Sequence, residues 1–302
     1  MSNLIYTKIV EWYMQSNVIR EIVDFSLDKW MAIHCEARDE KGNQLFLRYW
    51  KGGKPITIAS EEDFKKIFHI FRKYRPRTFY VTANQYYRLR VIEDTMDMRN
   101  IEKCMPTWDI DNVFQKWEAT IEVAKVIVEF LYQYGIEKSV FVKWSGNGAH
   151  VHINPMAFSD EVTTKINPLD IAYATVEYVN TRLKQKYIEI AEKFKAPELK
   201  VENKMDIKRV FTCPLSLHRE VDRVAICMDP EKLENFDPVW TRPETYRHYT
   251  DWRRYKEGEG DRLAEVAFET VGPCPYLGST KRRRRKGTRP DEIIRKFLKF
   301  DA

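Results

Sequence analysis

The sequence predicts an α+β fold, with mixed β-sheets flanked by helices. Three observations lead there. Hydrophobic residues make up 43% and aromatics 13% of the 302 positions, enough for a packed core rather than a disordered chain. Short β-branched and aromatic stretches alternate with segments of helical apolar spacing. Their order lacks the regular β-α-β rhythm of a doubly wound parallel sheet. A chain of this length holds one large domain or two ordinary ones.

Near the N-terminus, IVEWYMQSNVIREIVDF (9–25) has the apolar spacing of a helix. WMAIHCEA (30–37) and QLFLRYW (44–50) read as a hairpin turned at Gly42-Asn43. SEEDFKKIFHIFRKY (60–74) starts a helix, with Ser60 as cap and acids in the first turn. RTFYVTAN (77–84) is a strand, and CMPTWDID (104–111) a short one. A helix over 113–135 stops at Gly135. SVFVKWS (139–145) and AHVHINP (149–155) are strands separated by Gly-Asn-Gly. Residues 167–194 are helical, and RVFTCP (209–214) and DRVAICMDP (222–230) are strands around LSLHREV. The tail from 231 is rich in Trp, Tyr, Arg and Pro and ends in a helix, PDEIIRKFLKF.

Bulk properties exclude several classes. No apolar run approaches the roughly 18 residues of a membrane span, and MSNLIYTKIVEWY lacks a signal-peptide pattern, so a cytoplasmic, nucleoid-associated location is expected. The five cysteines, at 35, 104, 213, 227 and 274, include no C-x-x-C. They predict neither a disulfide framework nor a zinc site, and read as buried fillers. The net charge is +6, but KRRRRKGTR (281–289) alone carries seven positive charges and no acid, leaving −1 for the rest. Lys281, Arg282, Arg283, Arg284, Arg285, Lys286 and Arg289 thus form a candidate contact to a nucleic-acid backbone, with a solvated tail as the alternative. Trp240, Tyr246, Tyr249, Trp252 and Tyr255, just before it, are candidates to stack on single-stranded bases or to pack a small core. The richness in Lys, Arg and Glu would suit an archaeal or thermophilic source.

Three stretches carry chemistry. In PTWDIDN (106–112), strand periodicity puts Asp109 and Asp111 on one face, about 7 Å apart. Their repulsion would be relieved by shared divalent cations, and oxygen donors favour Mg²⁺ or Mn²⁺. In KWSGNGAHVHI (143–153), the break at Ser145, Gly146, Asn147 and Gly148 would let backbone N–H groups approach an anion, with His150 and His152 alternating onto one face beyond it. The spacing is not that of a P-loop. VENKMDIKRVFTCPLSLHREVDR (201–223) adds the acids Glu202 and Asp206, and Arg209, Ser216, His218, Arg219 and Arg223 as phosphate ligands; a hairpin with charged edges is the plainer reading. Acids for metal, a small-residue anion loop, and a third acid with basic residues make a kit for nucleotidyl transfer.

The order of these motifs resembles the archaeo-eukaryotic primase superfamily, and within it the small catalytic subunit of DNA primase. The resemblance rests on DID (109–111), SGNGAHV (145–151) and MDIKRVFTCPLSLH (205–218), with supporting segments DFSLDKWMAI, LRYW and RPRTFYVTANQYY, and covers roughly residues 20–240. It implies a primase-like catalytic domain over 1–240, with an N-terminal α/β half (1–105) and an RRM-like metal- and nucleotide-binding half (106–240). An Arg- and aromatic-rich extension follows over 241–302. Asp109 and Asp111 would bind two Mg²⁺ or Mn²⁺ ions, with Asp206 as third ligand and Glu202 as the alternative. Ser145, Gly146, Asn147, Gly148, His150, Arg209, Ser216, His218 and Arg219 would line the nucleotide site. The implied activity is primer synthesis or extension on a DNA template from nucleoside triphosphates, in replication or repair, with a primase large subunit or another replication or repair protein as a further partner. Two departures stand out. Asn147 occupies a place where several members carry Arg, making Lys143 and Arg219 candidate substitutes, and the zinc knuckle usual in primase small subunits has no counterpart. A catalytically weak, nucleic-acid-binding relative is the alternative function, and a metallo-phosphoesterase using Asp109, Asp111, His150 and His152 is a third.

Overall fold

The computed structural model describes residues 5–275. Helices α1 (Tyr6–Tyr13) and α2 (Ser16–Ser26) precede β1 (Lys29–Arg38), β2 (Gln44–Leu47), α3 (Glu61–Ile70), β3 (Pro76–Tyr86) and β4 (Ile101–Cys104). Then come β5 (Thr107–Asp111), α4 (Trp117–Gln133), β6 (Val140–Trp144), β7 (Ala149–Ile153), α5 (Asp160–Lys165) and α6 (Pro168–Lys193). The described chain closes with β8 (Lys200–Glu202), β9 (Val210–Thr212), β10 (Ile226–Met228) and α7 (Asp261–Val271). The 290–300 helix and the basic run 281–289 lie outside the described residues.

The fold is α+β: two five-stranded sheets flanked by helices. The first runs β2-β1-β3-β4, with β9 also on β3; the second runs β10-β6-β7-β5-β8. Every named strand pair is antiparallel, where a mixture of directions was expected. The reason is topological: β5-α4-β6-β7-α6-β8 places β7 between β5 and β6, so the crossover strands never pair with each other. This is the split β-α-β arrangement of ferredoxin- and RRM-like folds.

Several elements follow from local chemistry. Ser60 caps α3 by accepting from the Asp63 N–H at 3.1 Å. Gly135, at φ +84°, turns the chain out of α4 as the Ile136 N–H reaches back to Leu131 O. The single helix expected over 9–25 is instead two, because tertiary contacts break it at Gln15. The indole N–H of Trp12 donates to Leu215 O, and the Tyr13 hydroxyl donates to Arg77 O while accepting from the Leu217 N–H, so α1 clamps the 213–218 turn. The second departure lies at β9 and β10. They do not form one hairpin: β9 joins the first sheet on β3, and β10 the second on β6. Only a small loop closes between them, with a bridge from Leu217 to Val224. The segment 203–225 thereby crosses from one sheet to the other and back.

One core spans both sheets. Phe211 of β9 packs on the rings of His150 and His152 of β7, while α4 and α6 pack on the second sheet. All five cysteines are buried thiols. Trp252 is buried against Phe25 and Phe141, so this part of the tail belongs to the core. No helix among the described residues is long and apolar enough to cross a membrane.

Candidate active site

Cross-strand register builds the site. In the second sheet Cys227, Lys143, His150, Asp109 and Glu202 are successive partners on β10, β6, β7, β5 and β8, and therefore share one face. Asp111 lies two residues beyond Asp109, on the same face of β5. Segment 203–209 then folds Lys204 and Arg209 back over this row.

The result is a convergence of charges. Lys204 Nζ lies 3.0 Å from Asp109 Oδ2, 2.6 Å from Asp111 Oδ2 and 2.9 Å from Glu202 Oε2. Arg209 also pairs with Asp109, and His150 Nε2 sits 3.2 Å from Asp109 Oδ1. Asp109 is 4% exposed, whereas Asp111 and Glu202 are open to solvent. Burial pushes the Asp109 carboxyl up, but the hydrogen bond and charge of His150, then Arg209 and Lys204, hold it well below the usual range. An ionised carboxylate only accepts, so His150 Nε2 carries the proton of this bond. Burial lowers the His150 pKa and Asp109 opposes it. For Lys204 burial lowers the pKa, and its three carboxylates together raise it above the ordinary lysine value.

The glycine break meets this cluster from the side. Gly148 lies so close to β5 that a Cβ would stand 2.1 Å from Ile110 O. Gly146, at φ +134°, faces His218, where a Cβ would fall 2.4 Å from the ring. Both glycines are thus required by packing, which brings the loop onto strand and histidine at once. Ser145 Oγ donates to Gly148 O at 3.2 Å, and Asn147 is exposed at the tip. His218 Nδ1 accepts from the Glu220 and Val221 N–H groups, and burial lowers its pKa to about 4. The ring is therefore neutral at pH 7, with Nε2–H left as a donor.

Among the described residues no three His, Cys, Asp or Glu side chains form a metal-binding group, and a lysine ammonium lies between the three carboxylates. The donor set itself is three hard carboxylates drawn to one cation, the chemistry of a Mg²⁺ or Mn²⁺ site. Asp109, Asp111 and Glu202 are the residues that would hold such an ion, in the place Lys204 Nζ takes here.

No family model matches the chain, and no curated protein matches it. Among solved structures, it is similar to the polymerase domain of Mycobacterium tuberculosis ligase D in complex with DNA, with a TM-score of 0.52 and 14% identity over 89% of this chain and 90% of that one. The two share a fold.

The remaining candidate residues divide. Asp206 stays in its own turn, accepting from the Lys208 N–H at 2.6 Å; it is Glu202, opposite Asp109 on β8, that meets the other two acids. Ser216 is fully buried, and its hydroxyl accepts from the Phe79 N–H at 2.8 Å. Arg219 is exposed beside Glu220, and Arg223 turns away to Pro238 O and Thr241. Lys143, a candidate substitute at the glycine break, is buried between the sheets instead. His152 is also fully buried, bonded through Nδ1 to Thr107, so the mixed carboxylate–imidazole set of a phosphoesterase is not assembled. Trp240 packs on Phe236, and Tyr246 on Trp12; Tyr255 remains exposed.

Two contributors had no visible signal. Lys204 acquires its role only through the register of a three-residue strand, too short to recognise from KVE. Arg77, buried under the 218–222 turn, donates to His218 O and Val221 O and pairs with Glu36 and Asp222. Its place in a β-strand reads only as a charged position, yet it holds His218 against Gly146.

Proposed function

We propose that this chain is a DNA-dependent nucleotidyltransferase of the primase-polymerase kind, extending or synthesising primers from nucleoside triphosphates. The observation that carries this reading is the convergence of Asp109, Asp111 and Glu202 on one cationic atom beside the loop 145–148. Asp109, Asp111 and Glu202 would hold one or two Mg²⁺ or Mn²⁺ ions, which when bound would offset triphosphate charge and favour attack by a primer hydroxyl. The chain's own residues supply the rest. His150 and Arg209 keep Asp109 ionised and oriented. His218 Nε2–H and the free edge of the loop present donors to phosphate oxygens. Lys204, released from the acids, is within reach of the same phosphates. The basic run 281–289 would grip the DNA backbone, and deleting it should flatten the salt dependence of DNA binding.

The test is template-directed incorporation with ribo- and deoxynucleotides under Mg²⁺ and Mn²⁺. Asp109→Ala and Asp111→Ala should each lower it by at least about a hundredfold. Full activity in both would overturn the reading. One observation favours a second reading, a catalytically silent DNA-binding relative: Lys204 already ion-pairs with all three acids, where a metal ion would sit. That reading requires salt-sensitive DNA binding with no incorporation under either metal.

A further inference from the structure

Away from the acids, the interior holds two lysines that form no ion pair among the described residues. Lys143 on β6 is fully buried, its ammonium lacks a hydrogen-bond partner, and it lies 4.4 Å from the centre of the Phe25 ring. Lys29, at the start of β1, is 5% exposed and lies 4.2 Å from the centre of the same ring. Buried cations are ordinarily paired, because desolvation costs far more than an aromatic face returns. Burial lowers both amines only to about 8, so both stay largely protonated at pH 7.

Lys29 borders a cavity of about 330 Å³, the size of a small-ligand pocket. Phe25, Phe141 and Trp252 supply apolar walls. Gln85 is the cross-strand partner of Lys29 and borders the same cavity, and its Oε1 is buried without a donor. The other charged groups there, Asp24 and Arg253, neutralise each other at 2.6 Å. A cation with no ion pair and an acceptor with no donor among the described residues thus stand side by side on an aromatic surface. Water would satisfy Gln85 but would leave the charge of Lys29 and Lys143 uncompensated.

We propose that this cavity binds a small anion with a flat apolar body. Its carboxylate or phosphate would sit on Lys29, a hydrogen-bond donor on Gln85 Oε1, and its body against Phe25 and Trp252. The site is separate from the carboxylate cluster and stands whether or not the chain is a polymerase.

Calorimetric titration of the full chain in EDTA, with no divalent ion present, tests it with phenyl phosphate, benzoate, AMP and inorganic phosphate. At least one of the three ring-bearing anions should bind more tightly than inorganic phosphate. A preference for phenyl phosphate over benzoate assigns a phosphate head group, and the reverse a carboxylate. Lys29→Met, which keeps length and burial, should weaken binding by about tenfold or more, the scale of a charge-assisted hydrogen bond. Gln85→Glu supplies the missing carboxylate from within, so it should abolish binding and raise the thermal midpoint; it decides the matter alone if Lys29→Met does not fold. Asp111→Asn should leave binding unchanged. The proposal fails if no ring-bearing anion outbinds phosphate, if binding survives Lys29→Met, or if Gln85→Glu neither blocks the ligand nor stabilises the fold.

Discussion

Asp109 and Lys143 are buried charges in one cross-strand row of the second sheet, with His150 between them, and their surroundings are opposite. Asp109 is met by Lys204, Arg209 and His150. Lys143 is met by an aromatic ring. The difference arises from where the chain crosses between sheets. Segment 203–209 leaves β8 directly over Asp109 and brings two cations with it, whereas Lys143 lies beneath α2, which offers Phe25. Charge is therefore gathered and balanced at one end of the row and left uncompensated toward the other. A sheet face alone does not make a site; the segment folded over it does.

The largest effect expected is at the balanced end. Asp109→Ala strands Arg209, Lys204 and His150 without their shared carboxylate, and should cost about 3–5 kcal/mol in chemical unfolding, besides the loss of incorporation. A change below about 1 kcal/mol would mean that the ion pairs are of the exposed, weak kind. The uncompensated end should behave in the reverse way. Lys143→Met should stabilise the protein at pH 7 by on the order of 3 kcal/mol, the linkage value of an amine lowered to about 8. Between about pH 8 and 10.5 the unfolded chain binds the extra proton, so the parent protein gains stability as pH rises through this window. Lys143→Met should flatten that rise, and identical pH profiles for the two proteins would show that Lys143 has a counter-charge after all. The smallest effect is at Lys204. Lys204→Met removes the cation that competes for the three carboxylates, so Mn²⁺ affinity followed by electron paramagnetic resonance should rise about tenfold, or roughly 1.4 kcal/mol. Weaker Mn²⁺ binding would make Lys204 a support for the acids rather than a competitor.

Much of this was legible beforehand where the signal was local. Strand periodicity placed Asp109 and Asp111 on one face, Ser60 and Gly135 marked helix ends, and the small-residue break at 145–148 was apparent from composition. The third acid was legible only as a choice between Asp206 and Glu202. Asp206 begins the run that best matches the superfamily motif, but strand register, which a three-residue β8 does not announce, puts Glu202 opposite Asp109. Ser216 was equally hard to place: His218, two residues on, meets Gly146, while the Ser216 hydroxyl accepts from the backbone of β3. The tail aromatics could not be divided into stacking and packing residues until Trp252 was seen against Phe25.

By itself the sequence determined the α+β class, most element positions and two of the converging acids, because caps, turn glycines and side-chain alternation act over a few residues. Tertiary structure alone decided that β9 and β10 part to different sheets, that Glu202 and Lys204 complete the cluster, and that Lys29 and Lys143 flank one ring. Those outcomes depend on contacts between residues far apart in the chain, whose register is set by how both sheets share a core, and no local pattern encodes it.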